Sequence, residues 1–267
     1  MLGAIIGDIV GSAFEFEPTK RKDFPLFSKG CSCTDDTMMT VAVAQALMDT
    51  CGNKKNQIKD CLIRAMHYWG NLYPNAGYGG NFKKWLSSNN PVPYNSYGNG
   101  SAMRVSACGW LYETIEETLE IAKYTAETTH NHPEGIKGAQ ATAAAIFLAR
   151  SGESKDKIKE YIEREFQYNL DFTIADIRPD YHFDVSCQGS VPEALKCFLE
   201  GETYEEVIRL AVSLGGDADT QAAISGAIAE AFYGIPNDIR EKAEKFIPEP
   251  VLIQVNRFYK FIDKGNN

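Results

Sequence analysis

Asp36-Thr37-Met38-Met39-Thr40-Val41-Ala42-Val43-Ala44-Gln45-Ala46-Leu47-Met48-Asp49-Thr50 sets apolar side chains at three- and four-residue spacing. It draws on Ala, Leu and Met, which are strong helix formers, so the spacing predicts a helix. The same period recurs at residues 56–69, 114–127, 134–150, 155–166, 190–200, 203–213 and 218–233. Pro236 and Pro248 stand near the start of two further stretches, 236–245 and 248–263, where a first-turn proline is tolerated. No run alternates apolar and polar residues between hairpin turns. The predicted class is all-α. Glycine and asparagine collect at 74–81, 89–101 and 214–217, and residues 168–189 mix Asp, Pro, Tyr and Gly as a loop. None of these is a long Ser/Pro/Gly linker, and no fixed repeat period is present. A single domain over residues 1–267, with its functional loops on one face, is the expected organisation.

The 267 residues are 44% apolar and 24% charged, an ordinary globular composition with enough chain to bury a sizeable core. Twenty-seven basic against 36 acidic residues give a net charge of −9. That balance argues against nucleic-acid or anionic-membrane partners, which need a basic face, but leaves room for a small anionic ligand held locally. No apolar run approaches the roughly 20 residues needed to span a bilayer. The apolar start, Met1 to Gly11, lacks a basic leader and meets Asp8 early, unlike a secretory signal. Seven cysteines (31, 33, 51, 61, 108, 187 and 197) are an odd, scattered set, which fits reduced thiols in a cytoplasmic protein. Cys31-Ser32-Cys33 has no second close pair to complete a zinc site. Cys187 has no basic partner nearby in sequence to activate it.

Two acidic clusters stand out. Thr34-Asp35-Asp36-Thr37 directly precedes the helical run Met38–Leu47, and Leu214-Gly215-Gly216-Asp217-Ala218-Asp219-Thr220 precedes Ala222–Phe232. Either one alone reads as a helix cap, since Thr and Asp satisfy first-turn amides and suit the helix dipole. Two hydroxyl-plus-double-Asp clusters of the same kind suggest more. If they meet, four carboxylates share one pocket, and their repulsion calls for protons or divalent cations. All-oxygen donors select Mg²⁺ or Mn²⁺, or Ca²⁺, over zinc.

Tyr97-Gly98-Asn99-Gly100-Ser101-Ala102-Met103-Arg104 reads as a loop entering a helix whose backbone amides form an anion-binding concavity. Gly77-Tyr78-Gly79-Gly80-Asn81, before the helix-like Phe82–Leu86, offers a second cradle. Two such loops suit a diphosphate, and an exposed ring of Tyr78 or Tyr97 could stack on a base. Neither loop matches a P-loop or follows a Rossmann strand. Gly3 to Ser12 is small and apolar, as a close-packed buried helix would be, and Asp8 within it reads as a structural hydrogen-bonding group. Glu15, between Phe14 and Phe16, is either a surface acid or a gate beside the acidic pocket. Thr129-His130-Asn131-His132-Pro133 separates two helices; a loop histidine donating to ligand or backbone is favoured there over a metal ligand.

Together these segments resemble the ADP-ribosylglycohydrolase family, which includes dinitrogenase reductase-activating glycohydrolases and ADP-ribosyl-acceptor hydrolases. The resemblance rests on Gly7-Asp8-Ile9-Val10-Gly11-Ser12-Ala13-Phe14-Glu15, Thr34-Asp35-Asp36-Thr37, Gly98 to Arg104, Thr129-His130 and Gly215 to Thr220, from Gly3 to about Gly234. It implies an all-α orthogonal bundle whose cleft holds two Mg²⁺ or Mn²⁺ ions on Thr34, Asp35, Asp36, Asp217, Asp219 and Thr220. It implies catalytic roles for Glu15 and Asp36. ADP-ribose would lie on Gly77, Tyr78, Gly79, Gly80, Ser96, Tyr97, Gly98, Asn99 and His130. The implied substrate is an ADP-ribosylated protein or a small ADP-ribose derivative. An arginine linkage comes first, because the first motif and Thr-His-Asn-His look most like the bacterial reactivating type. Serine-linked ADP-ribose, O-acetyl-ADP-ribose and a non-catalytic ADP-ribose binder are the alternatives.

Overall fold

α13, Ala218–Tyr233, runs through the middle of the molecule and is buried from Ala218 through Glu230. α1, Leu2–Ser12, lies along it with every residue from Leu2 to Gly11 buried. The small residues of α1 explain the close approach: a Cβ on Gly7 would sit 2.0 Å from the Ala222 carbonyl oxygen. Gly3 and Gly11 meet α13 backbone in the same way, so the seam is a ridge of glycines. This is a computed structural model, and it describes residues 1–50 and 55–265; Cys51 lies outside that range.

The remaining helices wrap this pair. α2 is Asp35–Asp49, α3 Lys55–Leu72, α4 Gly80–Leu86, α5 Gly100–Met103, α6 Cys108–Leu111, α7 Ile115–Glu127 and α8 Pro133–Arg150. Then follow α9 Lys155–Phe166, α10 Ile174–Ile177, α11 Cys187–Glu200, α12 Tyr204–Val212, α14 Asn237–Ala243 and α15 Glu249–Gly265. α8, α11 and α12 pack on α13, while α2 packs between α3, α15 and α1. One apolar core extends from Met1 to Phe258. Among the described residues there is no β-strand, only an isolated antiparallel bridge between Gly98 and Ser186. The chain is all-α, as the apolar period predicts.

Helix starts follow cap chemistry: Thr114, Ser154 and Thr203 each accept an amide of the first turn. α11 departs from expectation. It begins three residues before the predicted 190, because Ser186 caps it, and Pro192 sits at the sixth helical position. The 168–189 segment is also not all loop, since α10 forms a turn of helix behind the Thr173 cap.

Candidate active site

Asp8 is the first fixed point. Its buried carboxylate accepts hydrogen bonds from the Thr34 amide (2.9 Å), the Thr34 hydroxyl (2.6 Å), the Thr37 amide (3.1 Å) and the Thr37 hydroxyl. The start of α2 is therefore pinned on α1. Thr34 also accepts the Asp36 amide as the N-cap, so the capping reading of this cluster holds alongside any other role. The Asp35 amide donates to the Ala76 carbonyl (2.7 Å), which ties the cluster to the first glycine loop.

The second cluster is built on backbone shape. Gly215 has φ +63°, a left-handed conformation that favours glycine, and the stem of Lys20 lies over it. A Cβ on Gly216 would meet the Tyr181 ring at 2.4 Å. Asp217 takes the N-cap position of α13 without bonding its amides; its carboxylate instead accepts the Asn99 side-chain amide at 2.7 Å. Asp219 accepts the Thr220 amide (2.9 Å), and the Thr220 hydroxyl donates to Asp36 Oδ2 (3.2 Å).

Because α1 and α13 are in backbone contact, the starts of α2 and α13 open on one cavity of about 360 Å³. Glu15, Asp35, Asp36, Asp217, Asp219 and Thr220 all line it. Carboxylate oxygens of Glu15, Asp217 and Asp219 lie within 4.8 Å of one another. Burial, then mutual repulsion, raises the acids: Asp35 to about 8 and Glu15 to about 7. Asp36 and Asp219 are pushed well up for the same reasons. Burial likewise takes Asp217 to about 6, although hydrogen bonds from Asp219 and Asn99 work against it. Asp36 Oδ1 is buried without a hydrogen-bond partner. Repelling acids with an unbonded inward oxygen, all hard donors, could hold a divalent cation, and the positive ends of two helices lie beside them. Thr34 stands behind the lining; its hydroxyl, engaged with Asp8 and the Asp36 amide, keeps one lone pair.

Of the residues expected to meet ADP-ribose, Gly77, Gly79, Gly80, Ser96, Gly98, Asn99 and His130 line this same cavity. The two tyrosines do not. Tyr78 is 2% exposed, its ring packed 5.5 Å from Phe82, so the expected exposed ring is absent. Tyr97 is exposed but turned outside the lining, against His132. Two amides of the expected concavity are taken up within the protein. The Gly98 amide donates to Ser96 Oγ and the Asn99 amide to the Val185 carbonyl, so neither is free for a ligand. Sequence reasoning assigned no site role to Tyr94, Met103, Arg104, Phe183 and Val185, which also line the cavity. Arg104 closes the Tyr97–Arg104 motif. Phe183 and Val185 lie in a segment read as loop, and only the pairing of Gly98 with Ser186 brings them here.

The chain matches the ADP-ribosylglycohydrolase family over residues 1–263. It is 27% identical to the ADP-ribosylhydrolase ARH3 of Bos taurus, an alignment covering 95% of this chain and 90% of that protein. It is 24% identical to the ADP-ribosylarginine hydrolase Tri1 of Pseudomonas putida strain GB-1, covering 92% and 72%. A solved ADP-ribosylglycohydrolase-related protein complex shares the fold, with TM-score 0.69 at 23% identity over 96% of this chain and 95% of that one. A match over nearly the whole chain settles the family: this protein is an enzyme of the ADP-ribosylglycohydrolase family.

Proposed function

We propose that the chain acts as one domain to hydrolyse the glycosidic bond between ADP-ribose and an acceptor, in the first instance an arginine side chain of a protein. The observation that carries this reading is the meeting of three separate segments, around Glu15, Asp35 and Asp217, at one cavity that the two glycine loops also line. The relatives named above carry hydrolase names for ADP-ribosylated substrates, and one of them names arginine. A guanidinium acceptor suits the mouth, where half-buried Glu15 stands beside Asp219.

In this reading Asp35, Asp36, Asp217, Asp219, Thr220 and the remaining lone pair of Thr34 hold two Mg²⁺ or Mn²⁺ ions. Such ions supply Lewis acidity and a template for the ribose hydroxyls. The chain's own residues do the rest. Gly79 and Gly80 leave the wall open to the ligand, Gly77 keeps a Cβ off Asp35, Ser96 and His130 offer polar contacts, and Asn99 holds Asp217 in place. Water adds to the anomeric carbon as the bond to the acceptor nitrogen breaks, and the acceptor leaves with a proton. Glu15 takes the proton from the attacking water; Asp36, with an unbonded oxygen, is the second candidate base. The surrounding carboxylates offset positive charge on the sugar.

Asp35→Ala and Asp219→Ala are each expected to cut turnover of ADP-ribosyl-arginine by at least about a hundredfold and to weaken Mg²⁺ binding. Turnover assays with and without Mg²⁺, beside titration calorimetry, measure both. Full activity after chelation would overturn the metal-dependent reading. Faster release from ADP-ribosyl-serine or O-acetyl-ADP-ribose would reassign the acceptor, and binding of ADP-ribose without any turnover would reassign the protein as a binder.

A further inference from the structure

Arg104 is 1% exposed, yet no carboxylate pairs with it among the described residues. Its Nη2 donates to the Thr125 carbonyl, the Thr128 hydroxyl and, at 2.8 Å, the Thr129 hydroxyl. Thr129 is fully buried, and its hydroxyl lies 2.7 Å from Nδ1 of His130. Donor chemistry orients this chain. A guanidinium only donates, so it takes a lone pair of Thr129 and cannot receive the Thr129 proton. The Tyr94 hydroxyl is the other neighbour of this group. Nδ1 of His130, 2.7 Å away, makes the measured contact, and a Thr129 proton directed there leaves Nδ1 bare.

The other ring nitrogen faces the ligand wall. Ideal Cβ atoms at Gly98 and Gly100 would stand 3.5 and 3.1 Å from Nε2, so these glycines give the imidazole edge its place at the cavity. Nε2 has no hydrogen-bond partner among the described residues. Ser96 Oγ accepts the Gly98 amide and so keeps its own proton to donate. With the amides of Gly98 and Asn99 engaged, the Ser96 and His130 side chains are donors that this wall keeps for a ligand.

We infer that Arg104 and Thr129 are positioning residues that lock His130 as the neutral tautomer with its proton on Nε2, so that it meets the ligand as a hydrogen-bond donor to an anionic or sugar oxygen and not as a base. Burial and the neighbouring guanidinium, which both disfavour an imidazolium, act in the same direction. The consequence for substrate rests on the function proposed above; the tautomer does not.

Nitrogen-15 NMR of the histidine side chains in the full-length protein reads the tautomer directly, with His130→Gln assigning the signal. The expected spectrum has a bare Nδ1 and a protonated Nε2 from about pH 6 to 8. Thr129→Val removes the Thr129 proton and should move both nitrogens toward a tautomer mixture, while Thr129→Ser should restore the wild-type shifts. In turnover assays Thr129→Val should raise KM about five- to tenfold, the weight of one hydrogen bond, with a smaller effect on kcat, and Thr129→Ser should recover it. A protonated Nδ1 in the wild type, which would mean that Thr129 donates to Tyr94, overturns the inference. So does a Thr129→Val spectrum identical to wild type. If no ADP-ribosyl substrate is turned over, the functional reading fails while the nitrogen shifts still decide the tautomer.

Discussion

Asp8 shows how much of the site depends on a group that never faces it. It lies outside the cavity lining, yet four donors from Thr34 and Thr37 converge on its two oxygens. That arrangement sets the first turn of α2, and with it the direction of Asp35 and Asp36. Burial raises its own carboxyl to about 6 against those hydrogen bonds, so the position keeps a charge-bearing group at some cost. Asp8→Asn replaces one acceptor oxygen with an N–H donor facing donors. At least one buried donor is then unpaired, which should lower the stability of the metal-free protein by about 1–3 kcal/mol. Urea unfolding measures this, and Mg²⁺ affinity should fall with it, because the first turn of α2 loses its seat. An unchanged midpoint would show that the carboxylate is dispensable as an anchor. His130 and Tyr78 mark the limits of reading single residues. The loop setting of His130 could be read from its neighbours, but the burial of Tyr78 depends on Phe82, itself stacked on Trp85, packing against it.

At the scale of elements, the glycine seam between α1 and α13 does two jobs with one contact. It buries α1, and it brings Asp8 and Glu15 from one end of that helix to Asp217 and Asp219 at the start of α13. Gly7→Ala would put a methyl 2.0 Å from the Ala222 carbonyl, which is backbone and cannot rotate away. The helices would have to separate. The expected loss is about 1–3 kcal/mol or more by thermal or urea unfolding, and surviving folded protein should bind Mg²⁺ less tightly. A variant as stable as wild type would mean that the seam is looser than its backbone contacts indicate. Long helices such as α2, α8 and α13 were legible because three or more turns make the apolar period visible. α5, α6 and α10 are four residues each, too short for any period to register. α11 starts before the apolar period registers because the Ser186 cap comes first, and Pro192 sits within the helix. The acidic clusters could be read as a pair from composition alone. The wall formed by Phe183 and Val185 could not, because a bridge across 87 intervening positions, Gly98 to Ser186, leaves no local signature.

For the whole molecule, the acids that make the site also work against the fold. Asp217 is raised to about 6, Glu15 to about 7 and Asp35 to about 8, in each case chiefly by burial. An unfolded chain ionises these groups near pH 4. Between about pH 4 and 8 the folded, metal-free protein therefore binds more protons than the unfolded chain, and each raised group lowers stability as pH increases across that window. Below it both states are protonated and the penalty vanishes; above it both are ionised and the penalty is complete. A divalent cation bound by the same oxygens would replace the protons and remove the repulsion, so its contribution must grow with pH. The rise in melting temperature on adding saturating Mg²⁺ is expected to be larger at about pH 8 than at about pH 6, and calorimetric titration should show protons released on binding in the lower range. Taking the difference between metal-loaded and chelated protein at each pH cancels the titration of surface groups, which is common to both. An equal rise at the two pH values, with no proton release, would mean that these carboxylates are not the groups that meet the cation.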